Sequence, residues 1–243
     1  MGCTLITSEK SLVSRFGKTE VTDCHVFIGY DPVEAVAFHT CVNSIIRHAS
    51  VPVTIHPLAL NNLQAYSEEH GDGSNEFIYS RFLVPWLMSW RCRAVYMDGD
   101  MVVLDDIAKL FAVGRNHKAL HVVKHDYQTT AEKKYLGQKN ENYPRKNWSS
   151  VILWECDHFA HRGLTPEYVQ DASGKHLHRF GWLEDDQIGE LPAEWNWLAD
   201  EYGRNGEAKL IHWTLGLPGF REYETSPMAE VWHAEKELAD RCG

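Results

Sequence analysis

The chain has no apolar run near the roughly 20 residues that a membrane-spanning helix needs. It also has no C-x-x-C pair. Its six cysteines (Cys3, Cys24, Cys41, Cys92, Cys156 and Cys242) are scattered, several inside apolar runs. That spacing reads as buried thiols in a reducing compartment, not as a disulfide frame. A basic surplus is missing too. With 24 Lys and Arg against 34 Asp and Glu, the formal net charge is −10. This argues against nucleic acid as a partner and permits a metal site built from carboxylates. The opening MGCTLITSEK has no long apolar core and no cleavage site, and Ile6 stands where an N-myristoylation motif needs Ser or Thr. Internal repeats, low-complexity tracts and a clear linker are all absent. Together these absences predict a cytoplasmic protein with one globular domain and no membrane span.

What the chain does have is alternation. HVFIGY (25–30) reads as a buried strand, and DPVEAVAFHTCVNSIIRHA (31–49) as a helix with Asp31 as cap, Pro32 in the first position and Glu34 in a capping-box position. VTIHPLAL (53–60) is a second strand, and 76–90 reads as helical, bent or interrupted at Pro85. AVYMD (94–98), MVVL (101–104), KALHVVK (118–124), SVILWEC (150–156) and AKLIHW (208–213) are further strands. The polar stretch from His125 to Trp148 has the character of a binding loop or lid. LEDDQIGEL (183–191) reads as a helix start, and SPMAEVWHAEKELADRC as a closing helix. A β-α-β-α order that turns mixed predicts an α/β sheet with helices on both faces, over 25–243, preceded by an extension over 1–24.

Asp98-Gly99-Asp100 interrupts two apolar strands in RAVYMDGDMVVLDDI (93–107). In an open α/β sheet, ligands bind beyond the carboxyl ends of the strands, which is where Asp98 falls. Two carboxylates aimed at one point need a partner. Oxygen ligands suit Mg²⁺ or Mn²⁺, which often bridge nucleotide phosphates. Solvated turn acids are the commoner fate of a bare D-x-D, but the flanking apolar strands weigh against it. Two enzyme classes use the pattern: a metal-dependent transferase with a nucleotide-sugar donor, and a phosphohydrolase of the haloacid-dehalogenase type, with Asp98 as nucleophile and Asp100 as acid/base. In the latter the motif usually lies near the chain start, whereas here about three elements precede it.

Four segments resemble the glycosyltransferases of the GT-A fold, most closely the family 8 type (glycogenin-like and bacterial galactosyltransferase-like). They are VFIGYDPVEAVAFHTCVNSI, YSRFLVPWLMSWRCRAVYMDGDMVVLDDIAKLF, NWSSVILWEC, and WLEDDQIGELPAEWNWL followed by KLIHWTLGLPGF. The resemblance implies a GT-A (Rossmann-like) mixed sheet and a retaining transfer from a UDP-sugar such as UDP-glucose or UDP-galactose to an unidentified acceptor. It makes Asp98, Asp100 and His212 metal ligands, and the imidazole favours Mn²⁺ over Mg²⁺. Tyr30 and Asp31 match positions near the base and ribose. Arg81 matches an Arg on the donor's sugar and phosphate side, and Asp126 a position near the donor and acceptor sugars. Asp186 and Gln187 match the Asp-Gln pair beside the anomeric carbon, Asp186 for sugar hydroxyls and Gln187 for oxocarbenium-like charge. Each has a plainer reading: Asp31 as a helix cap, Arg81 as a surface ion pair, His212 as a strand-end histidine, and LEDDQ as an acidic helix start. The chain departs from the family's late H-x-x-G-x-x-K-P-W: HWTLGLPGF has no Lys for the diphosphate, leaving Arg221 or backbone N–H groups. A non-catalytic nucleotide- or glycan-binding relative is the third alternative. Trp86, Trp90, Trp154 and Trp232 read as core, and Cys156, His158 and His161 as structural for want of a fourth zinc ligand.

Overall fold

The computed structural model describes residues 24–70, 75–129, 131, 133–134, 138–139 and 142–241. The extension expected over 1–24 therefore lies outside the described residues, except Cys24, which opens the first strand. In chain order the elements are β1 (Cys24–Gly29), α1 (Ala35–His48), β2 (Val53–Leu58), α2 (Val84–Leu87), β3 (Arg93–Met97), β4 (Met101–Val103), α3 (Ala108–Phe111), β5 (Leu120–Val122), β6 (Lys133–Lys134), β7 (Gln138–Lys139), β8 (Val151–Glu155), α4 (Pro166–Asp171), α5 (Gly174–His178), β9 (Ile188–Glu190), β10 (Trp197–Leu198), α6 (Ala199–Tyr202), β11 (Leu210–His212) and α7 (Ala229–Asp240).

The main sheet has the order β2-β1-β3-β8-β5-β9. β1 runs parallel to β2 and β3, β8 runs antiparallel to β3 and β5, and β9 runs parallel to β5. Successive side chains of a strand face opposite sides, so a sheet covered on both faces needs apolar residues throughout. Phe27, Tyr96, Ile152, Trp154 and Leu120 enter one core, while Val26, Ile28, Val95, Met97, Val151 and Leu153 enter the other. α1 packs with the second of these through Phe38, Cys41 and Ile45. A smaller sheet, β10-β11-β4, pairs β11 antiparallel to β4 with His212 opposite Met101. Trp154 and Trp232 are buried as expected, whereas Trp86 and Trp90 are half-buried.

Three local expectations change. Asp31 caps a 3₁₀ turn, Pro32–Glu34, rather than α1 itself, and Glu34 makes no capping bond. The 76–90 segment is helical only over Ser80–Leu83 and α2, with Pro85 in the first turn of α2, where its missing N–H is no loss. The expected helix at 183–191 is a single 3₁₀ turn, Asp185–Gln187, that leads directly into β9. No helix among the described residues is long and apolar enough to cross a membrane.

Candidate active site

The site forms where the two sheets meet. β3 ends at Met97, and Asp98 N donates to Ser150 O at 3.1 Å, so Asp98 caps the ladder between β3 and β8. Gly99 then passes so close to β1 that a Cβ there would lie 2.6 Å from the Gly29 carbonyl oxygen. Only glycine permits that backbone approach. Asp100 immediately precedes β4, and the β4–β11 register brings His212 alongside. Ligand atoms of Asp98, Asp100 and His212 all fall within 4.8 Å of one another.

The two oxygens of Asp98 have separate duties. Oδ1 accepts from the Tyr96 hydroxyl at 2.6 Å and pairs with the Arg81 guanidinium at 3.0 Å. Oδ2 faces His212 Nε2 at 4.0 Å. Asp100 Oδ1 is buried without a hydrogen-bond partner, 3.5 Å from the same Nε2. Burial and the Asp100 charge raise the Asp98 pKa, against the pull of Arg81 and His212. Burial alone would lower the His212 pKa, but Asp100 and Asp98 reverse that and raise it. Glu34, half-buried nearby, is pushed up to about 8 by burial and by Asp100, Asp31 and Asp98. An orphan carboxylate oxygen, a carboxylate oxygen left over from anchoring, and an imidazole nitrogen converge with surplus negative charge. Such a donor set fits a divalent cation, with the imidazole tilting it toward Mn²⁺.

The other expected residues fall at different distances from this centre. Tyr30 and Asp31 follow β1, beside the end of β3. Tyr30 packs edge-on against Phe38, and Asp31 accepts from Val33 N and Glu76 N, so its capping role is real. Arg81 is 4 % exposed and spent on the protein: besides Asp98, it donates to Ser149 O and Ile78 O and lies over the Tyr96 and Phe77 rings. It is neither a surface ion pair nor free to reach outward; it holds Asp98 in place. Asp126 is exposed beyond β5, on the sheet edge that carries Asp98.

Asp186 and Gln187 are not brought to this edge. Gln187 O accepts from Ala119 N, and Ala119 O accepts from Glu155 N, whereas Asp98 is level with Ser150. The five residue steps from Ser150 to Glu155, the end of β8, span roughly 17 Å. The Gln187 side chain closes a capping box with Glu184 N, and the Asp186 carbonyl accepts from Lys118 Nζ. The physical reason is the absent helix. Nothing carries the chain back across the sheet between Gln187 and β9, so the turn sits where β9 begins.

Several residues of the site were not anticipated. Tyr96 could have been found, because it lies two residues before Asp98 and so on the same strand face. Asn196 is fully buried and contacts His212 Nδ1 through Oδ1 at 3.1 Å, yet nothing in PAEWNWL marks it. His125 is buried after β5, with Nδ1 3.1 Å from the Tyr202 hydroxyl and Nε2 unpartnered. Burial, aided by His212, lowers its pKa to about 3. By contrast, His158 caps a 3₁₀ turn and His161 Nε2 bonds Ala119 O, so both are structural, as expected.

A mixed sheet of this order, with helices on its faces, has the GT-A architecture, and solved glycosyltransferases share it. The bifunctional glycosyltransferase WbbM in its apo form has a TM-score of 0.65 at 16 % identity, covering 88 % of this chain and 50 % of that one. This chain thus spans half the length of that protein. The galactosyltransferase LgtC, solved with donor and acceptor sugar analogs, has a TM-score of 0.60 at 11 % identity, covering 90 % of this chain and 97 % of that one. The chain belongs to glycosyltransferase family 8, whose family model matches residues 8–214. Protein CDI of Arabidopsis thaliana is 37 % identical over 237 residues, 94 % of this chain and 92 % of that protein. Membership answers the phosphohydrolase alternative: the chain is a glycosyltransferase.

Proposed function

We propose that this glycosyltransferase is metal-dependent and retaining, and that it moves a sugar from a nucleotide-sugar donor, a UDP-sugar such as UDP-glucose or UDP-galactose, to an acceptor. The observation that carries the reading is the convergence of Asp98 Oδ2, Asp100 Oδ1 and His212 Nε2 on one point, with Asp100 Oδ1 unpartnered. These three residues would hold Mn²⁺, or Mg²⁺ in its place. When bound there, the ion supplies Lewis-acid stabilisation for charge growing on a leaving diphosphate.

This chain's residues divide the remaining work. Arg81 and Tyr96 fix Asp98 so that one oxygen stays available. Tyr30 and Asp31, at the carboxyl end of β1, line the nucleoside side, and Asp126, on the same edge, meets the sugars. Retention is the stereochemistry that the family resemblance implies. The Gln187 side chain, held by the Glu184 N–H, takes no part in it. The buried cysteines Cys41 and Cys156 suit a reducing compartment, and we place the enzyme in the cytoplasm.

Thermal unfolding against a panel of nucleotides and sugar nucleotides, with and without Mn²⁺, tests the reading. A ligand at about a hundred times its dissociation constant adds roughly 2.7 kcal/mol. UDP is expected to stabilise the protein only when Mn²⁺ is present. Asp100→Ala is expected to abolish both that shift and turnover of a labelled donor. Metal-dependent turnover that survives Asp100→Ala would sink the proposal.

A further inference from the structure

His212 can present a lone pair to a cation through Nε2 only if Nδ1 carries the proton, and the surrounding hydrogen bonds decide this. Asn147 O accepts from Ser150 Oγ at 2.7 Å, which commits the Ser150 hydroxyl as a donor. Ser150 Oγ can then only accept from Asn196, so the atom facing it at 2.8 Å is the amide nitrogen Nδ2. Nδ2 also approaches Asn147 O at 3.4 Å. The amide oxygen of Asn196 is thereby turned to His212 Nδ1 at 3.1 Å and requires a proton there. Flipping the amide would break the Asn196 Nδ2 donations to Ser150 Oγ and to Asn147 O, and would set the amide oxygen against that carbonyl.

The anchor of this chain is itself fixed. Asn147 adopts a left-handed conformation (φ 60°, ψ 9°), which asparagine enters more readily than most residues. Its side-chain Nδ2 donates to the Tyr127 hydroxyl at 2.7 Å. Asn196 is fully buried, and Ser150 and His212 are each 3 % exposed, so water does not compete for these bonds. Asn196 and Ser150 come from different sheets, β10 following the one and β8 the other.

We infer that Asn196 is the positioning residue of the metal centre: through the Ser150–Asn147 relay it holds His212 in the Nδ1–H tautomer, with Nε2 bare toward Asp98 and Asp100. The inference rests on reading those three residues as a metal site. An outer hydrogen-bond partner of a ligating imidazole typically changes metal affinity about 10- to 100-fold when removed.

The test is Mn²⁺ titration of the full chain, followed by the electron paramagnetic resonance signal of free Mn²⁺. Asn196→Leu is expected to weaken binding by about 10- to 100-fold. Asn196→Asp, which keeps an oxygen on Nδ1–H, is expected to recover most of the loss. Nitrogen-15 chemical shifts of His212 in the unsubstituted, Mg²⁺-loaded protein give a reading that needs no variant: Nδ1 protonated and Nε2 not. A folded Asn196→Leu with unchanged Mn²⁺ affinity, an Asp variant as weak as the Leu one, or a proton on Nε2 in place of Nδ1 would each overturn the inference. Failure of the unsubstituted protein to bind Mn²⁺ or Mg²⁺ would instead remove the metal reading, and the inference with it.

Discussion

Around the Asp98–Gly99–Asp100 turn, individual side chains carry more negative charge than the protein neutralises. Arg81 is bonded to Asp98, while Asp100, Asp31 and Glu34 add to the field. Glu34 registers it most directly, with its pKa pushed from 4.5 up to about 8 by burial and by Asp100, Asp31 and Asp98. An acid whose folded value lies above its unfolded one destabilises the fold once pH exceeds the unfolded value. The cost grows from about pH 4.5 and levels off near pH 8. At about 1.4 kcal/mol per pH unit over most of that interval, Glu34→Gln should stabilise the metal-free protein by on the order of 4 kcal/mol at pH 8. Near pH 5 the gain should be small. Urea unfolding at the two pH values checks this, and an equal gain at both would refute the charge argument. Asp98 and Asp100 were visible as a local pattern, a D-x-D between apolar strands, whereas His212, by itself a plain strand-end histidine, stood out only through the resemblance to family 8. Glu34 read as a capping acid, because its nearness to Asp100 is created by the fold.

At the scale of elements, β9 is the instructive case. Glu184 and Gln187 form a genuine capping box, so the local signal for a helix start was sound. The following Ile188, Gly189 and Glu190 nevertheless pair with Leu120, His121 and Val122 of β5, covering a sheet edge that a short helix would leave open. A Cβ on Gly189 would lie 2.1 Å from the His121 ring, so this strand also makes room for a buried histidine. Tertiary pairing overrides local propensity here, and it carries Asp186 and Gln187 away from the acids. Gln187→Ala should therefore leave kcat and Mn²⁺ affinity within about twofold, as expected of a substitution away from the site. Loss of the capping bond should lower stability by about 1 kcal/mol. Steady-state kinetics beside a chemical unfolding curve separates the two effects. A kcat loss of tenfold or more would return Gln187 to the reaction.

For the whole molecule, alternation of strands and helices was enough to indicate an α/β sheet, since burial on both faces leaves near-continuous apolar strands. The small sheet was harder to see. β4 and β11 are about 110 residues apart in sequence, and only their pairing carries His212 to Asp100. Buried histidines in both sheets set how stability responds to acid. His121, His125 and His161 are held neutral, burial being the first cause in each, with pKa values of about 4, 3 and 4. Their folded values lie below the unfolded 6.5, so stability falls as pH drops below 6.5 toward those values. His212 has the opposite sign: its raised pKa stabilises the metal-free protein below pH 6.5, and that contribution fades as pH rises through the folded value. A bound cation needs the same Nε2 that the proton takes, so cation and proton compete. The melting temperature with saturating Mn²⁺ should therefore fall more steeply between pH 7.5 and 5.5 than that of the metal-free protein, the two curves converging at the acid end. In His212→Ala, Mn²⁺ should raise the melting temperature far less at every pH, because one of the three ligands is gone. Parallel curves for the unsubstituted protein would mean that the ion, if bound, does not use His212 Nε2.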